Sequence, residues 1–358
     1  MGNKTIKKLS CLLLSGALIF GLFLPAESHG ASSFKDIKGH WAEQYIETAV
    51  AQGIIKGYTD GRFLPDEKVS RAEFISMVNR ALGNTATGNT RFNDVPSGAW
   101  YYADVSKAVT AGFVNGFDDG TFRPNHKITR QEAAVMLARI IPTYGYSTNL
   151  SRYGDYRSIS DWAYTAMSKV SGKGYISGYT DGKIHPLDSL TRAQAAKIIS
   201  DIIIKETIVS TDPIVKKDGT KLSGKIYSNN VTIHKDLDDG DATIENCVIL
   251  GKLIVQGGGD STVTVNNSRV ADAVINRSAG PVRVLAKGET AILNTQCSED
   301  FALETSNLAG GTFGTGFERV SLTSSSSGTL QGTFPYVSLD GSSADLKLLS
   351  GTITKLDI

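Results

Sequence analysis

Three arginines are spaced so that one kind of chemistry could be done three times. Arg71 follows Ser70, Arg130 follows Thr129, and Arg192 follows Thr191. In each copy Glu73, Glu132 or Gln194 stands three places after the hydroxyl. A hydroxyl with Glu or Gln three residues on is a capping box, so each arginine is expected at the first position of a helix. The helix dipole disfavours a cation there by about 0.3–1 kcal/mol. Three copies accept that penalty. Backbone N–H groups beside a bidentate guanidinium make a site for an anion. Helix punctuation alone is the competing account of the hydroxyl and the Glu or Gln.

Each arginine is carried by a longer unit. GYTDGRFLPDEKVSRAEF from Gly57 recurs as GFDDGTFRPNHKITRQEA from Gly116 and GYTDGKIHPLDSLTRAQA from Gly178. Copies at so regular a spacing mark a repeat architecture. The first part is a turn: Gly61, Gly120 and Gly182 supply backbone freedom, and Asp60, Asp119 and Asp181 can accept local N–H groups. Apolar residues at helical spacing follow each box, such as Phe74, Met77 and Val78. A helix is also expected before each turn, over 43–52 and 103–111. One tryptophan per unit (Trp41, Trp100, Trp162) and one ring beside each turn (Tyr58, Phe117, Tyr179) suit either a core or a platform for a sugar face.

These units resemble the S-layer homology domain family. Upstream, Phe34-Lys35-Asp36, Phe92-Asn93-Asp94 and Tyr153-Gly154-Asp155 complete the likeness, together with Gly53-Ile54-Ile55, Gly112-Phe113-Val114 and Gly174-Tyr175-Ile176. The resemblance covers about half the chain. It implies a pseudo-threefold trimer of repeats around a helical core. It also implies grooves between repeats that bind an anionic, often pyruvylated, secondary cell-wall polysaccharide. The family's Thr-Arg-Ala-Glu arginine carries over to Arg71, Arg130 and Arg192, and its tryptophan to Trp41, Trp100 and Trp162. The third copy departs at Tyr153, at Gln194 and at Lys183-Ile184-His185.

The chain has 358 residues and a formal net charge of +1, so no global field draws it to nucleic acid. Residues 1–30 read as a secretory signal, with Lys4, Lys7 and Lys8 before an apolar run and cleavage expected after Ser28 or Gly30. No membrane span is expected to remain after cleavage. Cys11 would leave with the signal, and Cys247 and Cys297 read as two small buried residues. The repeats are bounded at 32–83, 90–142 and 150–204. Residues 205–225, with Pro213 and Asp218-Gly219, read as a linker.

Beyond Ile226 the helical pattern stops. Short apolar–small–apolar triplets centred on Thr243, Thr264, Arg283, Ala302, Ser321 and Ser338 recur about every twenty residues, with a second set in the gaps (Leu253-Ile254-Val255, Val274-Ile275, Ala291-Ile292-Leu293, Thr312-Phe313, Leu330, Leu346-Lys347-Leu348). That spacing predicts a β-solenoid of parallel β-helix type over 226–358; a sandwich would repeat faster. The triplet centres form no carboxylate ladder. Asp236-Leu237-Asp238-Asp239-Gly240-Asp241 could hold Ca²⁺, but it departs from the helix-loop-helix calcium pattern and reads as a solvated turn. No metal site and no catalytic residue are assigned. Glu299, Asp300 and Glu304 do not share one strand face.

The sequence therefore predicts a multidomain, noncatalytic protein of a Gram-positive-type cell surface. Its partners would be a secondary wall polysaccharide and the peptidoglycan-associated wall, with self-assembly left open. The alternative is a wall-anchored lyase or hydrolase acting through the solenoid.

Overall fold

The computed structural model describes residues 34–259, 262–323, 326–340 and 344–358. The signal expected over residues 1–30, with Cys11, lies outside the described residues. No helix among the described residues is long and apolar enough to cross a membrane.

All three capping boxes form. Ser70 Oγ accepts the N–H of Glu73 while the Glu73 carboxylate accepts the N–H of Ser70; the same reciprocal bonds join Thr129 to Glu132 and Thr191 to Gln194. They open α2 (Arg71–Leu82), α4 (Arg130–Ile140) and α6 (Arg192–Lys205). Shorter helices precede them: α1 (Glu43–Ala51), α3 (Tyr102–Thr110) and α5 (Asp161–Gly172). The second helices are apolar on more than one face. Phe74, Ile75, Val78 and Leu82, then Ala133, Leu137 and Ile140, then Ala195, Ile199 and Ile202, share one core.

The repeats interlock. Each first helix packs on the second helix of the preceding repeat: α3 on α2, α5 on α4, and α1 on α6. Side-chain bonds pin these contacts. Ser76 Oγ donates to the Asp104 carboxylate at 2.6 Å, Gln131 Nε2 to Ser160 Oγ at 3.1 Å, and Ser200 Oγ to the Tyr45 carbonyl at 2.7 Å. A ring of backbone bonds marks the threefold centre: Val69 N–H to Leu190 O (3.0 Å), Leu190 N–H to Ile128 O (2.9 Å), and Ile128 N–H to Val69 O (3.1 Å).

The back half is a β-solenoid of about seven turns. Its strand pairs are all parallel. No coil buries its own inner face, so the coils stack Ile244, Val265, Val284, Leu303 and Leu330 inward, each side chain worth about 1.5–3 kcal/mol on burial.

The structure departs from several expectations. Residues 205–225 are not a linker: Thr207–Val209, Ile214–Val215 and Thr220–Ser223 pair with strands of the next coil and form the first turn. The triplet series also mixes two faces. Ala302 pairs with Arg283 and Thr329, whereas Ser321 pairs with Gln296 and Ser338 on another face. Thr264 lies opposite Leu285, not Arg283. The second set mixes faces likewise, since Ile254 pairs with Val274 while Ile292 pairs with Val270 and Leu330 with Leu303. Gly311–Phe313 is a 3₁₀ turn rather than a strand. Every face repeats at the same interval, so spacing alone cannot say which face a triplet occupies.

The solenoid lies against the helical half. Ile226, Val248 and Leu250 join the helical core. Arg269 Nη2 donates to the Gly112 carbonyl at 3.0 Å, and Lys169 Nζ meets Glu289 at 2.5 Å. Cys247 and Cys297 are buried free thiols. Burial pushes both thiols up.

Candidate functional site

Each turn is built before its arginine arrives. Asp36, in the first repeat, accepts the N–H groups of Phe63 and Leu64; Asp94 does so for Phe122 and Arg123, and Asp155 for Ile184 and His185. Leu64, Arg123 and His185 are thereby held at φ of 56°, 58° and 49°, left-handed and directly before proline. The sequence showed both the aspartate and the proline, but not that one restrains the other. Asp60, Asp119 and Asp181 accept the N–H two residues on, as expected. Gly57, Gly116 and Gly178 have a steric role: a Cβ there would lie 2.0–2.2 Å from the ring of Phe34, Phe92 or Tyr153. Gly61, Gly120 and Gly182 have φ of 75–79°.

The arginines then join repeat to repeat. Nε of Arg71 donates to Phe122 O (3.0 Å), of Arg130 to Ile184 O (2.8 Å), and of Arg192 to Phe63 O (2.8 Å). Each guanidinium lies over the rings of the turn it reaches. Arg71 covers Phe117 and Phe122, Arg130 covers Tyr179, and Arg192 covers Tyr58 and Phe63, at 4.6–4.9 Å. All three are only 4–5% exposed. Burial lowers the proton affinity of Arg71, with Glu132 opposing, and of Arg130, with Tyr179 opposing.

This geometry changes the expected anion site. The first two N–H groups of each second helix are taken by the neighbouring turn. Arg71 and Ala72 donate to His126 O and Pro124 O, Arg130 and Gln131 to Asp188 O and Pro186 O, and Arg192 and Ala193 to Glu67 O and Pro65 O. The third N–H goes to the capping hydroxyl. The helix starts are therefore filled from within, and the arginines are partly mortar.

The tryptophans stand apart from the core. Trp41, Trp100 and Trp162 are 56%, 61% and 58% exposed. An indole left that open contributes little to packing and is free to lie on a sugar ring. Tyr58 and Tyr179 are also exposed, and Phe117 half-buried.

On the solenoid a cavity of about 690 Å³ is lined by Lys252, Asp272, Asn294, Gln296, Arg319 and Tyr336 among others. Asp272 accepts from Asn294 Nδ2 at 2.9 Å, and Asp357 at its edge accepts from Tyr336 Oη at 2.5 Å. Elsewhere Glu304 is tied to Arg283, and Asp300 accepts the N–H of Ser327. In the acidic run Asp236 pairs with Lys216 and Asp239 with Arg277. Among the described residues no cluster of His, Cys, Asp and Glu has the makings of a metal site.

The S-layer homology domain matches residues 33–75, 91–134 and 152–196. Among known proteins, the chain is 35% identical over 237 residues to an endoglucanase of Bacillus sp. (strain KSM-635), covering 62% of this chain and 24% of the relative. It is 29% identical over 244 residues to the surface-layer 125 kDa protein of Lysinibacillus sphaericus, covering 64% and 20%. It is 45% identical over 80 residues to the cellulosome-anchoring protein of Acetivibrio thermocellus, covering 22% and 18%. The chain thus spans about a quarter or less of the length of these relatives.

Proposed function

The chain carries three S-layer homology domains, and from that premise we propose that its repeats grip an anionic secondary wall polysaccharide while the solenoid serves as a noncatalytic spacer or lattice module. The three domains and the surface-layer and anchoring relatives support attachment to the cell wall at a bacterial surface. The polymer's chemistry and the absence of catalysis are our reading.

One observation carries the glycan reading: three exposed tryptophans, one in each repeat. The aromatic faces would cover apolar sugar faces. Hydroxyls and acid groups would meet the polar rims beside Tyr58, Phe117 and Tyr179. Three weak contacts on one rigid body raise the effective affinity for a polymer.

Replacing Trp41, Trp100 and Trp162 together by alanine tests this. The thermal midpoint should hardly move, because exposed sites away from the core shift stability by only about 0.5 kcal/mol each. Sedimentation with isolated cell walls should fall at least tenfold in affinity. Wild-type binding in the triple variant would contradict the reading.

A further inference from the structure

One lateral face of the solenoid carries polar side chains in register from coil to coil. Lys252, Asp272 and Asn294 stand opposite one another, as do Gln296, Ser321, Ser338 and Asp357. Arg319 stands opposite Tyr336, and Tyr336 opposite Lys355. Their neighbours in sequence, such as Ala273, Cys297 and Val337, belong to the buried core, so strand alternation turns these residues outward. Coils about 4.7–4.9 Å apart set them as the rungs of a ladder. All of them except Lys355 line the cavity of about 690 Å³. That volume lies within the range of about 300–1,000 Å³ usual for ligand sites, but the rungs are polar where such sites are mostly apolar.

Part of this lining is engaged and part is free. Asp272 accepts from Asn294, Ser321 Oγ and Ser338 Oγ meet at 2.9 Å, and Asp357 accepts from Tyr336 Oη and meets Lys355 at 3.2 Å. Among the described residues, no hydrogen bond or ion pair engages the side chains of Lys252, Gln296, Arg319 or Asp340, which all line the cavity. Free donors and acceptors are thus gathered on one surface. The Tyr336 ring offers no stacking face, because Arg319 and Lys355, on the coils either side, lie 5.2 and 5.0 Å from its centroid. Lys252, Arg319 and Lys355 balance Asp272, Asp340 and Asp357, so these side chains concentrate neither anions nor cations. Coil-to-coil pairing leaves no strand edge within this face for a peptide to extend.

We propose that this face of the solenoid binds a neutral, extended glycan lying along the stack of coils. Gln296 and Arg319 donate to hydroxyl and ring oxygens at the middle of the cavity, Lys252 donates at one end, and Asp340 accepts from a hydroxyl at the other. The rung spacing is close to the length of one extended sugar residue, so successive sugars meet successive coils. A ligand read by hydrogen bonds alone suits a site that is polar, balanced in charge and without a bare ring. The proposal goes beyond the wall-anchoring reading and does not depend on it, since it gives the solenoid a ligand of its own.

Calorimetric titration of the full chain with cellotetraose and with chitotetraose tests this, the two probes differing in their acetamido groups. The wild type should bind at least one of them at one site per chain, with an affinity that NaCl leaves unchanged. The double variant Gln296→Leu, Arg319→Met removes the free donors while keeping the side-chain bulk over Tyr336. Both residues are exposed, so the thermal midpoint should hold. Its affinity should fall at least tenfold. The variant lacking Trp41, Trp100 and Trp162 should bind the tetrasaccharide as the wild type does. No binding of either probe by the wild type, or equal binding by the double variant, overturns the proposal. Binding that survives in the double variant and disappears with the tryptophans places the glycan on the repeats and removes the solenoid site. Failure of the chain to sediment with cell walls would count against the anchoring reading alone and leave this site standing.

Discussion

Arg192 Nε donates to the carbonyl of Phe63, 2.8 Å away and 129 residues earlier in the chain. This bond closes the ring of repeats, because it brings the last repeat back onto the first. Arg192→Ala leaves Glu73 without its cation and the Tyr58 and Phe63 rings uncovered. It should lower the unfolding free energy by about 3 kcal/mol. Arg62→Ala removes an exposed pair with Asp60 and should cost under about 1 kcal/mol. Denaturant unfolding of the two variants compares them directly; equal losses would mean that Arg192 is not a structural joint.

Acid should loosen the turns. Burial alone would raise the Asp36 carboxyl, but the N–H groups of Phe63 and Leu64 outweigh it and hold it below the usual range. Bonds from Thr121 and Arg123 hold Asp119 down at about 2. A carboxyl lower in the folded chain than in the unfolded one stabilises above its unfolded value, and that stability is lost as pH falls toward the folded one. The thermal midpoint should therefore hold above about pH 4 and fall between there and about pH 2. Asp36→Asn should lower the midpoint at neutral pH and flatten the acid limb. A variant that keeps the wild-type acid limb would contradict this.

Gly112 joins the two halves. Its φ is +70°, and a Cβ there would lie 2.2 Å from Leu293 Cδ1 of the solenoid. Gly112→Ala adds strain at both points and should cost about 1–3 kcal/mol. Since the new methyl group pushes on the interface, calorimetry should show the helical and solenoid transitions moving apart. A single, unshifted transition would mean that the interface absorbs the methyl group.

What was legible in the sequence was local. Ser70 and Glu73 form their box within one turn of helix, so the helix starts could be read directly. The filling of those helix starts could not. His126 and Pro124, which accept from Arg71 and Ala72, lie more than fifty residues away, and nothing in the spacing says that one repeat's turn caps the preceding repeat's helix. The arginines were therefore expected to face a ligand with free N–H groups beside them. The three tryptophans were ambiguous in sequence because an indole suits core and surface alike; only their exposure separates the two. In the solenoid the interval was legible and the face was not, which is why Ala302 and Ser321 fell into one series although they lie on different faces of the solenoid. Gln194 was visible as a departure. Only the structure shows that it bonds Tyr179 Oη where Glu132 and Glu73 pair with Arg71 and Arg192.

The central claim is that the repeats hold a wall polymer other than peptidoglycan. The most direct measurement is sedimentation of the whole chain with isolated walls of Lysinibacillus sphaericus, before and after acid extraction of the non-peptidoglycan polymer. The account predicts saturable binding to intact walls and its loss after extraction. Undiminished binding to the extracted walls would contradict it and make peptidoglycan itself the ligand.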